Sequence, residues 1–108
     1  MTIQQMVDEF ASCVAAQETA IADSDAELGN QFADRYIKVF QALQSEGSAG
    51  LTALEGLLQD SRPIVRVTAA AWLLEHSGER ARAVLKEASK GEGFAAFCAF
   101  QALKRVKQ

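Results

Sequence analysis

Apolar residues recur at intervals of three and four along almost the whole chain, and no stretch alternates with period two over a useful length. A repeat near 3.6 places side chains on one face of a helix, whereas a strand needs a repeat of two, so the fold is expected to be all-α. Ile3, Met6, Val7, Phe10, Val14 and Ile21 form the first stripe, opened by Thr2 with Gln5 three residues later in the capping-box pattern. Asp23 or Ser24 can cap a second helix with Leu28, Phe32, Val39 and Leu43 on its inner face. Tyr36, Ile37 and Phe40 widen that face toward a second neighbour. SEGSAG, Ser45 to Gly50, reads as the clearest loop.

Leu51, Leu54, Leu57 and Leu58 mark a third helix that ends near Asp60 and Ser61. Pro63 then stands where a first-turn proline costs no hydrogen bond. It opens a fourth helix, IVRVTAAAWLLEH, that is apolar nearly all round. This helix is expected to be the most buried, with Trp72 a structural residue whose truncation costs ~3–5 kcal/mol. Gly78 is expected to end it. Ala81, Val84, Leu85 and Ala88 mark a fifth helix, GEG (Gly91 to Gly93) interrupts the chain, and a last helix runs from about Phe94 to Lys107. About six helices in 108 residues make a single domain, 1–108, with little room for a second.

Helix pairs joined by short turns suggest repeats. A shift of 30 residues lays Leu54 over Val84, Ala69 over Ala99 and Leu73 over Leu103. The economical description is an N-terminal helix pair over 1–46 followed by two helix-turn-helix units, roughly 48–77 and 78–107. Within the first unit, LLQDSRPIVRVTAAAWLLE (Leu57 to Glu75) resembles the core of a HEAT repeat. Such repeats carry an Asp before the second helix, then Val-Arg, then small residues and a Leu; here these are Asp60, Val65-Arg66, Ala69-Ala70 and Leu73. Over 78–107 the resemblance thins, because Ala95-Ala96 stand where Val-Arg would be. The chain also resembles the short bacterial HEAT-like domains to which no activity is assigned. The resemblance implies antiparallel helix pairs packed as a short right-handed solenoid, and a binding scaffold rather than a catalyst. In that family the Asp–Arg pair bonds within and between repeats, so Asp60 and Arg66 are expected to be structural.

Catalytic chemistry finds little support in the residues. GxSxG, HExxH and GxxxxGK[ST] are all missing. His76 is the one histidine and falls at the expected end of helix four, where a cation suits the helix dipole without any catalytic role. Cys13 and Cys98 stand apart in apolar surroundings, without the spacing of a zinc site. They are expected to be buried thiols in a reducing compartment, which places the protein in the cytoplasm. Neither metal nor cofactor is expected. MTIQQMVDEF carries no basic stretch and no continuous apolar run, and no segment approaches the ~20 apolar residues of a membrane span.

Charge is unevenly spread. Residues 1–50 carry eight acids against Arg35 and Lys38, while 51–108 carry nine bases against six interleaved acids. Neither half offers the concentrated basic surface that a phosphate backbone requires, so nucleic acid is not an expected partner. The acidic half suits a basic protein instead. Asp25, Glu27 and Asp34 are its candidate contacts, because helix two turns its polar residues outward. On the last helix Ala95, Ala99, Ala102, Leu103 and Val106 share the core face, while Phe97 falls among polar residues with Phe94 and Phe100 at its borders. Six helices in a chain this short must wrap tightly, which favours covering these rings; exposure would make Phe97 and Phe100 interface residues. The expected function is non-catalytic protein–protein interaction, in its most specific form a bacterial immunity protein or antitoxin that binds and occludes a basic toxin or enzyme domain. The alternative is an accessory or lyase-like HEAT protein assisting an enzyme or cofactor attachment. A deep apolar pocket with a convergent His or Cys would favour that alternative.

Overall fold

The computed structural model describes residues 1–106. Among them lie six α-helices and no strand: α1 (Ile3–Ala22), α2 (Ala26–Ser45), α3 (Ser48–Leu54), α4 (Pro63–Trp72), α5 (Leu74–Ser89) and α6 (Phe94–Val106). A 3-10 turn, Glu55–Gln59, follows α3. The fold is all-α, as the periodicity requires. Two compact units divide it, Met1–Leu54 and the residues from Glu55 onward. The division falls inside the 48–77 stretch expected to act as one repeat: α3 packs on α1 and α2, whereas the 3-10 turn packs on α4.

In the first unit, α1 and α2 are each 20 residues long and pack against each other. Thr2 opens α1 with the reciprocal bonds of a capping box, its hydroxyl accepting from the Gln5 N–H at 3.0 Å and its own N–H donating to Gln5 Oε1 at 2.8 Å. Asp25, rather than Asp23 or Ser24, caps α2 by accepting from the Leu28 N–H at 3.0 Å. The other two are consumed in closing α1. The Asp23 N–H reaches the Thr19 carbonyl, the Ser24 N–H reaches the Ile21 carbonyl, and Ser24 takes the left-handed conformation at φ 61°. Phe10, Val14 and Leu43 are fully buried, and Phe10 meets Tyr36 edge to face at 5.4 Å between centroids. Of the expected loop only Glu46 and Gly47 lie outside helices, because α3 begins at Ser48. Gly50 explains how α3 can start so soon. A Cβ there would lie 2.1 Å from the Leu43 carbonyl oxygen, so the missing side chain is what admits α3 against the end of α2.

In the second unit the 3-10 turn buries Leu57 and Leu58, and Pro63 occupies the first turn of α4 as expected. Ile64, Val65, Val67, Ala69 and Ala70 of α4 are buried. The helix stops at Trp72, short of the expected end, and Leu73 closes it through N–H bonds to the Ala69 and Ala70 carbonyls. Gly78 therefore does not end α4; it lies inside α5, just past a break at Ser77 (φ −119°, ψ 30°). His76 accordingly sits at the start of α5 rather than at the end of α4. The same change of direction corrects the expectation for Trp72. Leu73 takes the buried place at 0% exposure, and Trp72 is left 38% exposed. Its truncation costs less than that of a buried indole. Ala81 and Leu85 of α5 and Ala96, Ala99 and Ala102 of α6 are buried where these helices pack on each other and on α4. No helix among the described residues is long and apolar enough to cross a membrane. Lys107, where the last helix was expected to end, lies outside the described residues.

Candidate functional site

Three aromatic rings stand on the outer side of α6. Phe94, Phe97 and Phe100 follow one another at three-residue spacing and are 42%, 58% and 55% exposed. The buried residues of the same helix, Ala96, Ala99 and Ala102, repeat the spacing on the inner side. Small residues facing inward let α6 lie close to its neighbours, and that closeness leaves no room beneath it for the large rings. The expectation that Phe97 and Phe100 are covered is therefore corrected. Lys104 and Arg105, both exposed, continue the outer side toward the C-terminal end.

The acidic candidates divide differently. Glu27 and Asp34, seven residues apart and both exposed, share one face of α2, where Lys38 four residues further offsets part of their charge. Asp25 is exposed but is already engaged as the α2 cap. Arg35 turns aside to donate to Glu9 on α1 at 2.8 Å and lies over the Phe32 ring at 5.5 Å.

Asp60 and Arg66 do meet, but not as the expected carboxylate–guanidinium pair. Arg66 Nη1 donates to the Asp60 backbone carbonyl at 2.8 Å. The Asp60 carboxylate instead accepts from Arg62: Nε at 2.9 Å, Nη2 at 3.1 Å and the backbone N–H at 2.9 Å. Arg62 lies two residues away on the same turn and so reaches the carboxylate first, which leaves Arg66 to tie the carbonyl to α4. The side-chain bond from Arg62 is the main reason the Asp60 carboxyl is held below the usual carboxylate range. A carboxyl whose folded pKa is depressed adds stability above its unfolded pKa and loses it as pH falls through the folded value. Acid titration from about pH 4 downward should therefore remove the Asp60 contribution, and Asp60→Asn should flatten that part of the stability profile, read by denaturant melts at several pH values.

Glu55 forms a second cluster that local patterning does not disclose. Its side chain is only 16% exposed and gathers three residues from α5. Ser77 Oγ donates to Glu55 Oε2, Arg80 Nη1 lies 3.2 Å from Oε1, and His76 Nε2 lies 3.8 Å from Oε2. These contacts span 22 and 25 residues, so no helical spacing could have signalled them. The residue types are those of a hydrolase, but the order is not. A nucleophile–base–acid relay needs the imidazole between hydroxyl and carboxylate, and here the carboxylate takes the hydroxyl directly. The arrangement clasps the 3-10 turn to the start of α5. Among the described residues no group of three or more His, Cys, Asp and Glu side chains is placed to hold a metal.

An open groove of about 590 Å³ lies in the same unit, lined by Leu58, Pro63, Arg66, Glu87, Glu92 and Ala95 among others. Neither histidine nor cysteine lines it. Cys13 is buried, while Cys98, expected to be buried as well, is partly exposed on the flank of α6. Burial, then the neighbouring Glu9 carboxylate, pushes the Cys13 thiol above its ordinary pKa.

The sequence matches no protein-family profile and no curated protein. The fold matches the crystal structure of the protein RPA1889 from Rhodopseudomonas palustris CGA009 with a TM-score of 0.92 at 24% sequence identity, over 99% of this chain and 89% of that one. At that identity the likeness establishes the fold alone.

Proposed function

We propose that this chain is a non-catalytic protein-binding module whose docking surface is the outer face of α6. The observation that carries the reading is the exposed row Phe94, Phe97 and Phe100. Half-exposed phenylalanines contribute on the order of 100 Å² each, so the row presents a contiguous apolar patch of about 300 Å², a size at which patches on small proteins are often functional. Aromatic residues and arginine, here with Arg105 beside the row, are also enriched at protein interfaces. The resemblance of Leu57–Glu75 to a HEAT repeat fits the same role, since such arrays act as scaffolds.

Within this class we favour an immunity-protein or antitoxin role in the bacterial cytoplasm. The acidic face of α2, with Glu27 and Asp34, supports it as a steering surface for a basic toxin, and two cysteines outside any disulfide suit a reducing compartment. The accessory or lyase-like reading draws less support, because no His or Cys lines the groove beside Arg66.

A photoreactive phenylalanine analogue at position 97, compared with one at Asn30 on α2, tests the site inside cells. Adducts with protein should form from position 97. Adducts from position 30 alone would move the interface to the acidic face, and their yield would then fall steeply with salt. No protein adduct from either position would overturn the reading.

A further inference from the structure

We propose that the groove lined by the first turns of α4, the end of α5 and the start of α6 binds the C-terminal end of a polypeptide. Arg66 holds the terminal carboxylate, and Glu87 and Glu92 take a basic residue a little upstream. The site lies apart from the aromatic row, since α6 gives it Ala95 and Ala96 rather than its rings. The inference does not depend on the docking role assigned to those rings.

Small side chains give the groove its depth. Ala83 and Ala88 of α5, Gly91 of the turn, and Ala95 and Ala96 of α6 carry nothing beyond a Cβ, so these helices meet without filling the space beside α4. Leu58, Pro63 and Val84 add larger apolar surface, and the groove holds about 590 Å³. That volume exceeds what one amino acid fills. A mostly apolar lining with a few charged groups to fix orientation is the make-up of sites that take organic ligands.

The charged lining is Arg66, Glu87 and Glu92. Arg66 is half-buried, and the carboxylate next to it, Asp60, is taken by Arg62. Arg66 is thereby left with a backbone carbonyl on Nη1 and, among the described residues, no ion pair. No buried side-chain nitrogen among those residues lacks a partner, so Nε and Nη2 of Arg66, which bond nothing, are open to solvent. A guanidinium held by one nitrogen, with its other edge free beside apolar surface, fits a carboxylate bidentately. On the other wall Glu92 is exposed and makes no ion pair among the described residues. Glu87 holds only Lys90, at 3.5 Å with both side chains mostly exposed, a contact that costs little to exchange.

Opposite charges on different walls select the occupant. A simple anion would meet the two glutamates, and a simple cation would meet Arg66. A chain end satisfies the whole lining: its carboxylate on Arg66, its last apolar side chain among the alanines, and a Lys or Arg upstream on the glutamates. The open side of the groove lets the rest of the chain leave.

Three tetrapeptides test the proposal by amide NMR titration of the full chain: N-acetyl Lys-Ala-Ala-Leu with a free carboxylate, the same peptide as its C-terminal amide, and the acid with Glu in place of Lys. The first should shift the amides of Ala83, Ala88 and Ala95 with a dissociation constant on the order of 0.1–1 mM. Amidation should weaken binding about tenfold, and Glu for Lys about threefold. Arg66→Gln should bind acid and amide alike, a loss of discrimination that a merely structural role for Arg66 would not produce. Should that variant fail to fold, Glu92→Gln and Ala83→Phe carry the test, because both positions are exposed. Glu92→Gln should lower the preference for Lys over Glu. Ala83→Phe should block every peptide while keeping the circular dichroism of the wild type. A wild type that does not distinguish acid from amide, or that shifts no groove amide at roughly 5 mM peptide, overturns the proposal. Free leucine binding as tightly as the acid peptide also overturns it, by making the occupant an amino acid rather than a chain end. Each of these failures leaves the reading of the α6 rings to its own test at position 97.

Discussion

Gly50→Ala should destabilise the chain by about 3 kcal/mol or more, enough to leave much of it unfolded at physiological temperature. The added methyl would meet the Leu43 carbonyl oxygen at 2.1 Å and its carbon at 2.9 Å. Both are main-chain atoms at the end of α2, so no rotamer change relieves the overlap. The helices must separate, and Leu54 and Leu43, both fully buried, would lose their packing. The same substitution at Gly29 has the opposite sign. That glycine is buried within α2, and a methyl would find the Ile21, Ala20 and Gln17 side chains at 3.7 to 4.0 Å, an ordinary contact distance. Gly29→Ala should gain about 0.5–1 kcal/mol from helix propensity. Urea denaturation of the two variants side by side checks both. Equal effects would mean that the close approach of α3 to α2 is not what constrains position 50.

Glu55→Ala should cost about 2–3 kcal/mol, a large effect for a partly exposed carboxylate. It removes a charge-assisted bond to Arg80 and leaves the Ser77 hydroxyl, 8% exposed, without its acceptor at the break in α5. Glu55→Gln keeps an acceptor for Ser77 but not the ionic contact, and should fall between the wild type and the alanine variant. A Glu55→Ala protein that melts with the wild type would mean that the clasp does not hold the turn. Retained stability with lost function would return Glu55, His76 and Ser77 to consideration as a reactive centre.

The helices themselves were legible from local pattern. The Thr2–Gln5 box, the proline at the head of α4 and the Gly91–Gly93 interruption each act within a single turn, where neighbouring residues decide the outcome. What escaped the sequence was set by contacts distant along the chain. The leucines and alanines after Pro63 suit an uninterrupted helix, yet the chain turns after Trp72 where Glu55 holds Ser77 and Arg80 from across the fold. Gly78 looked like the breaker and proved a bystander one residue beyond the break. Asp60 and Arg66 were paired by family resemblance, whereas the nearer Arg62 takes the carboxylate. The wheel sets Phe97 among polar residues with Phe94 and Phe100 at its borders, and all three stand uncovered in the fold. A wheel identifies the outer side of a helix, but whether another element lies over it is a property of the tertiary packing.

The unequal settings of the two thiols give the chain a built-in attachment point. Cys13 is 2% exposed and its thiolate is disfavoured by burial and by Glu9, so an alkylating reagent reaches it only through unfolding. Cys98 is partly exposed on the flank of α6, one residue from Phe97. A fluorophore introduced at neutral pH would therefore go to one natural position without prior mutagenesis. It would sit beside the aromatic row, where its emission changes when another protein closes over the rings.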